Sequence, residues 1–497
     1  MKTSEVIRRK GSIAVDDRLA LQEKGDDLDR QTAGRWVLNE LSQVERGVVE
    51  EKIFVVDSVR IIDQINHIRE AYGLVTHLHL TAPLDVLRQR YDRRYHGKNG
   101  VPSYDKAKEN PTEQNIESLR EVADVVIDTN RCREKDVFVR ATSRMSLYGK
   151  NEKGYVDVIV GAQYGSEGKG QIAAYLAKEY DLLVRVGGPN AGHTVYEDPK
   201  PYTHHHLPSG TRKCDAPLLL APGMVINVEK LLAEISDCKV EFDRLSIDPQ
   251  AMIISDEDIE AEGELKERIA STAQGVGQAT ARKIVQRGNE KLKLARDVKE
   301  LKPYLRPAIE VLTKTFVENG RVLLEGTQGT GLSLHHGSYP FVTSRDTTVS
   351  GCLSEAGIPP SRVRRSIMVC RAYPIRVEGS SGPMSQEITW AEISRRSGIS
   401  MSKLRHRERT STTNRKRRVG EFDWELLKKA AFINGATDIA LTFADYLSPD
   451  NQLARRFDQL TKETTDLIEE IEHVAKARVS LIGTGFDSRS IIDRRRW

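Results

Sequence analysis

Two hydrophobic rhythms run through this chain of 497 residues. Short apolar runs rich in Val and Ile alternate with charged stretches whose apolar residues recur every three or four positions. The first pattern predicts buried strands and the second amphipathic helices; their alternation predicts an α/β fold on a mostly parallel sheet. Before residue 150, strands are expected in "KIFVVDSVR" (52–60), "THLHLTA" (76–82) and "ADVVIDT" (123–129), with helices in "QINHIREAYG" and "APLDVLRQRYDRR". "YHGKNGVPSYDKAKENPTE" (95–113) is polar and rich in turn formers, and is expected to be a mobile loop. "SRMSLYGKNEKG" (143–154) has linker composition, and "YVDVIVGA" after it opens a second unit. The expected division is a smaller α/β domain over 1–150 and a larger one over 155–497. Late in the chain "TDIALTF" (437–443) predicts a strand. Residues 457–478 predict a helix that packs Leu460, Leu467, Ile468, Ile471 and Val474 into the core.

Composition narrows the class. A hydrophobic content of 38% supports a real core, and 30% charged residues suit a soluble surface. The net charge of +4 excludes a polycation, so any preference for anions must come from local clusters. The five cysteines are scattered, which argues against a zinc site or a disulfide framework and for a reducing compartment. No apolar run reaches membrane-spanning length, and "MKTSEVIRRKGS" lacks the apolar core of a signal peptide. A cytoplasmic location is expected.

Candidate chemistry begins at "VDVIVGAQYGSEGKGQ", a buried strand, a glycine-rich turn and a helix start. Gly161, Gly165, Gly168 and Gly170 allow a sharp turn and close approach of a ligand. Successive N–H groups and a helix N-terminus favour an anion, and Lys169 adds a point charge. The Walker A pattern fails here, because Gln163 stands at its first glycine and Gly170 follows the lysine. A strand–helix turn that merely needs glycine is the competing reading. In "VRVGGPNAGHTVY" (184–196), Asn190, His193 and Thr194 fall at a strand end, where α/β folds gather ligand chemistry. "KLRHRERTSTTNRKRR" (403–418) sets eight Lys/Arg against one Glu. It reads as a solvated loop or as a nucleic-acid contact, and the aromatic residues of single-strand binders are missing from it.

These motifs resemble the adenylosuccinate synthetase superfamily. Further matches follow in order: "HHLPSG" (205–210), "STAQGVGQA" (271–279), "LEGTQGTGLSLHHGSYPFVTSRDTT" (324–348), "TTNRKRR" (412–418), "LTFADYL" (441–447) and "GTGFD" (483–487). The resemblance covers 155–497. It implies a ligase that phosphorylates O6 of a 6-oxopurine nucleotide from ATP or GTP with Mg²⁺, then lets aspartate displace the phosphate. Within that implication Gly165, Glu167, Gly168, Lys169 and Gly170 hold phosphates, and His193 acts as the acid. Gln328 joins Ser166, Lys169 and His193 in catalysis. Asn190, Thr272, Gln328 and Thr343 contact the acceptor, and Thr413 and Arg415 grip aspartate. Phe443, Asp445 and Gly485 meet the donor nucleotide, while the Gly192 carbonyl and Ser166 are the magnesium ligands. The basic stretch becomes a mobile aspartate-binding loop in place of a nucleic-acid contact, and a homodimer is implied.

Departures from the family pattern carry information. Ser166 stands where the housekeeping synthetases keep an aspartate that is both base and metal ligand. A serine hydroxyl is no base near neutral pH. A small residue there resembles the phage-type 2-aminoadenylosuccinate synthase branch, which acts on dGMP, and "AYPIRVEGSSGP" (372–383), "EITW" (387–390) and "ADYLSP" (444–449) are similar to that branch. A hydroxyl leaves room for the guanine 2-amino group and offers it an acceptor, so dGMP is the expected acceptor; the base is then water, phosphate or Glu167. Phe443 replaces the lysine of a guanine-reading Lys-x-Asp pair, which leaves the donor base open. Gln286 falls near an arginine that relatives send into a neighbouring subunit, with Arg287 or Arg282 as substitutes. Two other readings stay open: the same reaction on IMP, and a nucleotide-binding regulatory protein. The first 150 residues resemble a nucleoside-monophosphate-kinase-type P-loop fold, with Asp57 and Arg60 near a substrate and Arg90, Arg93 and Arg94 as a lid. No Walker A motif precedes residue 52, so a degenerate docking domain is expected, with a nucleotide sensor or an upstream start as the alternatives.

Overall fold

The structure, a computed structural model, describes residues 2–11, 18–45, 54–96, 102–109, 111–114, 116–130, 132–142, 154–196, 200–289, 292–410, 413–452 and 454–495. The chain divides into two compact units, Met1–Tyr148 and Gly149–Trp497.

In the first unit, strands Leu78–Thr81 and Val125–Asp128 pair in parallel, as expected from their apolar runs. Helices Thr3–Gly11, Trp36–Glu45 and Ile62–Ala71 bury Val6, Ile7, Trp36, Val37, Leu41 and Ile68 against one another. The strand expected over 52–60 does not form in its described part, 54–60. Phe54 and Val56 pack on the helical cluster, Val55 is exposed, and the backbone makes only an isolated bridge from Asp57 to Lys2. Alternating apolar residues packed on helices look the same in sequence as a strand face. The polar stretch 95–113 contains two short helices, Tyr104–Lys108 and Pro111–Gln114. Ser103 Oγ caps the first by accepting from Lys106 N–H, and Tyr104 packs edge-on against Tyr91. Of the residues resembling a kinase site, Arg60 bonds to Glu113 and Arg90 donates to Thr129. The linker lies outside the described residues except for Gly154.

The second unit is built on a nine-stranded sheet. From edge to edge the strands are Ile491–Asp493, Arg478–Gly483, Asp438–Thr442, Val363–Arg371, Val156–Gly161, Val322–Glu325, Leu182–Arg185, Leu218–Leu220 and Leu245–Ile247. Every neighbouring pair runs parallel except the first two strands of that list. Parallel strands covered on both faces read as continuous apolar runs. In the 156–161 strand Val156, Val158 and Val160 enter one core layer and Ile159 the other. The only charge in it, Asp157, is neutralised by Arg364 and accepts from Tyr180 Oη at 2.7 Å. The helix expected near the C-terminus runs from Lys462 to Ala475, with Thr461 as its N-cap; Ile468 and Ile471 are fully buried.

Parallel order has one consequence for chemistry. It brings the carboxyl ends of six strands to a common edge, where Gly483, Thr442, Arg371, Gly161, Glu325 and Arg185 are the terminal residues in spatial order. Crevices at such an edge are where open α/β sheets bind ligands. A small antiparallel sheet of Ile375–Val377, Arg417–Gly420 and Glu387–Ile388 carries part of the basic stretch.

Candidate active site

The glycine loop leaves the central strand at Gly161 and enters the helix Lys169–Leu176. Gly165, Ser166 and Gly168 adopt positive φ angles of 83°, 55° and 90°. This curl turns the two charged residues of the loop in an unexpected direction. The Glu167 side chain is fully buried beneath the loop, where Oε1 accepts from Gln163 N–H at 3.0 Å and Gly165 N–H at 2.9 Å, and Oε2 accepts from Lys169 Nζ at 2.6 Å. A Cβ on Gly161 would lie 2.5 Å from the Gln328 carbonyl and 2.7 Å from Glu167 Oε2, so glycine there makes room for both. Ser166 alone of the loop side chains is exposed, and it lines the cavity above.

That cavity, of about 380 Å³, is walled by the strand-end loops. Gly165, Ser166, Gly168, Lys169, Gly170, Asn190, Gly192, His193, Thr272, Gln328, Thr343, Phe443, Asp445 and Gly485, all anticipated from sequence, border it. Gln328 sits at φ 56°, and both polar atoms of its buried amide lack a partner among the described residues, as does Asn190 Oδ1. Buried amides without partners are costly. A ligand with matching donors and acceptors relieves that cost.

His193 follows the loop helix in space and starts the short strand His193–Val195. Its Nδ1 lies against Glu325 Oε1 and 2.8 Å from Arg185 Nη1. A guanidinium only donates and a carboxylate only accepts, so the two contacts ask for opposite states of Nδ1. Arg185 Nη1 already has Glu325 Oε1 at 2.5 Å. We therefore assign the proton to Nδ1, donated to Glu325 Oε1, which leaves Nε2 as the neutral ring's acceptor. Burial and then Arg185 push His193 down to about 3, so the imidazole is neutral before ligand arrives. Burial pushes Glu325 up, but Arg185 and His193 override it and hold the carboxylate ionised. Ser209 completes the cluster with N–H and Oγ donated to Glu325.

A second carboxylate organises the other wall. Glu408 is the single acid in the basic stretch, and it is buried. Arg371 Nη2 reaches Glu408 Oε1 at 2.8 Å, Arg417 Nη1 reaches Oε2 at 3.1 Å, and Tyr446 Oη donates to Oε1 at 2.8 Å. Burial would raise its pKa, but the two guanidiniums hold it at about 2. Arg417 Nη2 then donates to Ser166 Oγ at 3.1 Å. The Arg371 guanidinium lies 3.9 Å from the Phe443 ring centre. Burial pushes Asp445 up to about 6 against the opposing charge of Arg407.

Some expectations are displaced. Thr413 and Arg415 do not border the cavity. Arg415 donates to the carbonyls of Ala270 and Glu378, and Thr413 pairs with Thr410 at 2.7 Å. Arg407, Arg409, Thr410 and Arg417 from the same stretch do border it. The described part of that stretch is not a featureless loop: it is the helix Met401–Arg407, a bridge between Arg409 and Lys416, and the strand Arg417–Gly420. Arg282 is held within the chain by Asp258, 2.5 Å away. Glu325, Arg185, Arg371, Arg417 and Glu408 went unassigned in the sequence, because nothing local marks which distant charge each one meets.

The magnesium assignment fits poorly. Mg²⁺ is usually held through one or two carboxylates together with substrate phosphates. Ser166 Oγ and the Gly192 carbonyl are neutral oxygens, Ser166 already faces a guanidinium, and the Glu167 carboxylate is turned inward. Among the described residues no group of three or more His, Cys, Asp or Glu could hold a metal ion.

Comparisons with known proteins show the family. A family model described as adenylosuccinate synthetase matches residues 158–302 and 289–453. The adenylosuccinate synthetase of Pyrococcus horikoshii is 38% identical over 347 residues, covering 68% of this chain and 98% of that protein. That of Archaeoglobus fulgidus is 38% identical over 346 residues, with the same coverage. Among solved structures, the succinoaminodeoxyadenylate synthetase of cyanophage S-2L, bound to dGMP and to dATP as energy donor, aligns with a TM-score of 0.58 and 28% identity. It covers 69% of this chain and 96% of that one. The fully ligated adenylosuccinate synthetase of Plasmodium falciparum aligns with a TM-score of 0.60 and 24% identity, covering 69% and 100%, which speaks to the fold.

Proposed function

The chain belongs to the adenylosuccinate synthetase family, ligases that join aspartate to a purine nucleotide through a new C–N bond, and we propose that its own acceptor is dGMP. The observation that carries this reading is the exposed Ser166 hydroxyl at the centre of the glycine loop, held by Arg417. A hydroxyl leaves space beside N1 for a 2-amino group and accepts a hydrogen bond from it. The phage relative with dGMP in its site supports the same choice.

In this reading the purine lies between Ser166 and His193, with the Gln328 and Asn190 amides turned to its polar edge. O6 attacks the γ-phosphorus of a purine nucleoside triphosphate, and the bond from that phosphorus to its bridging oxygen breaks. The amine of aspartate then attacks C6 and releases phosphate. Charge builds on the transferred phosphoryl group, where preorganised donors count most. His193 Nε2 faces O6, and an arriving phosphoryl anion opposes burial and Arg185, raising the imidazole pKa so that it can donate a proton. Glu167 is excluded as the base for N1, since its oxygens are taken by Lys169 and two loop N–H groups. The N1 proton passes to water or to a phosphate oxygen. Phe443, backed by Arg371, offers a stacking face to the donor base, and Asp445 reads its edge.

Self-association as a homodimer is part of the proposal. The helix Val276–Val285 ends in two exposed apolar residues, Ile284 and Val285, beside Gln286 and Arg287. Sedimentation of the wild type against Val285→Glu tests it; an unchanged monomeric mass for both refutes it.

The acceptor is tested by phosphate release over a matrix of IMP, dIMP, GMP and dGMP against ATP and GTP, with and without aspartate. The expected result is aspartate-dependent release that is greatest with dGMP. Equal turnover of IMP and dGMP would refute the reading of Ser166. The 38% identity to archaeal adenylosuccinate synthetases favours IMP as the second reading, and the same matrix decides between the two.

A further inference from the structure

We infer that Glu408 is a positioning residue that ties the donor side of the cavity to the transfer site by holding Arg371 and Arg417 apart on its two oxygens. The inference rests on the ligase reading, and it assigns work to a residue that touches no reacting atom.

Three observations carry it. First, the four groups come from separate elements. Arg371 ends a central strand and Arg417 begins the small sheet, while Glu408 caps the helix Met401–Arg407 and Tyr446 closes the turn Ala444–Tyr446. Nothing local forces them together, so the carboxylate is the shared partner. Second, Glu408 and Arg371 are shut off from solvent and the Arg417 side chain is nearly so, with exposures of 2%, 0% and 11%. Two guanidiniums this close repel strongly in a medium of low dielectric constant unless an anion lies between them. Third, each arginine has a second, different task. Arg417 reaches Ser166 Oγ, and Arg371 covers the Phe443 ring while its Nη1 lies 3.4 Å from the Ser166 carbonyl. One carboxylate therefore fixes both the group that holds Ser166 and the group behind the Phe443 ring.

The acceptor-side amides Asn190 and Gln328 make no contact with this cluster among the described hydrogen bonds. Loss of the carboxylate charge should therefore separate the two substrates. Glu408→Gln is expected to weaken triphosphate binding by about tenfold or more and to lower kcat by about 10–100-fold, as removing a supporting partner does elsewhere. The dGMP affinity, read by calorimetry without triphosphate, should fall by less than the triphosphate affinity, because Arg417 also holds Ser166 while the Asn190 and Gln328 amides keep their places.

The deciding experiment is a double-mutant cycle of Glu408→Gln and Arg417→Met, read as triphosphate affinity and kcat in the full chain. If Glu408 acts through both arginines, the double variant loses less than the sum of the two single losses, because only the Arg371 branch is left to lose. Additive losses, or a Glu408→Gln protein that binds triphosphate as the wild type does, would overturn the inference. If Glu408→Gln fails to fold, Glu408→Asp keeps the charge but withdraws it by one methylene. It should weaken triphosphate binding more than dGMP binding, and unchanged triphosphate affinity would again overturn the inference. The cycle is run with whichever acceptor the wild type turns over, so an error in the choice of dGMP leaves its outcome readable.

Discussion

Replacing Glu325 by glutamine is the sharpest test of how this site is held. The substitution keeps volume and one acceptor oxygen and removes only charge. Four donors converge on that carboxylate: Arg185 Nη1 at 2.5 Å, Ser209 N–H at 2.8 Å, Ser209 Oγ, and His193 Nδ1. Arg185 is completely buried, and its Nε and Nη2 have no partner among the described residues. Glutamine leaves that guanidinium without a counter-ion, and breaking a buried pair on one side costs about 3–5 kcal/mol. The loss should appear as a lower urea midpoint with an unchanged slope. A second effect falls on chemistry. Glu325 is the group that opposes burial and Arg185 at His193, so its loss drives the imidazole pKa further down and frees the ring to turn. General acid catalysis contributes about 10²–10⁴-fold, and kcat should fall within that range while the KM for dGMP changes little. A variant within about 0.5 kcal/mol of the wild type would refute the assignment of Glu325 as the counter-ion, since that is the scatter of a neutral surface change. A destabilised variant with full kcat would separate the fold from the chemistry and refute the role given to His193.

Other outcomes follow from the same geometry. Ser166→Asp puts a carboxylate beside Arg417, and the ratio of kcat/KM for IMP over dGMP should rise by at least about tenfold, or ~1.4 kcal/mol; an unchanged ratio would remove the serine from the account of specificity. Gln328→Met removes an amide whose two polar atoms are buried without partners, so the ligand-free protein should be as stable as the wild type or more so, while its rise in Tm on adding dGMP should vanish. Asp445 is held at about 6, against an ordinary value of 3.8, chiefly by burial. The folded state thus binds that proton more tightly than the unfolded state. The stabilisation is fully present below 3.8 and is lost as pH rises through about 6. Asp445→Asn should therefore raise stability at pH 7.5 by up to about 3 kcal/mol and do nothing at pH 3.5, as measured by urea midpoints at both values. A gain of equal size at both would show that the carboxylate stays ionised throughout.

What could be read in advance was whatever is local in the chain. The parallel α/β architecture was legible because a strand buried on both faces is a continuous apolar run, as in "VDVIVGA". The glycine loop was legible because sharp turns select glycine, Asn190 and His193 because they follow a strand, and most of the remaining cavity wall only through the resemblance to the synthetase family. The strand expected at 52–60 failed because helix-packed and sheet-packed alternation share one period. Thr413 and Arg415 were expected at aspartate, yet Arg407, Arg409, Thr410 and Arg417 of the same stretch border the cavity, because Arg415 is drawn to the carbonyls of Ala270 and Glu378. Tertiary structure alone decided where each charge goes. Glu325 meets Arg185 because the 322–325 and 182–185 strands are neighbours in register, although 140 residues separate the two. Glu408 gathers Arg371 and Arg417 because three elements end at one point. Glu167 turns beneath its own loop to meet Lys169. Local preference is written in a few adjacent residues, whereas a buried charge settles only where its counter-ion is. The order of strands across the sheet determines that place.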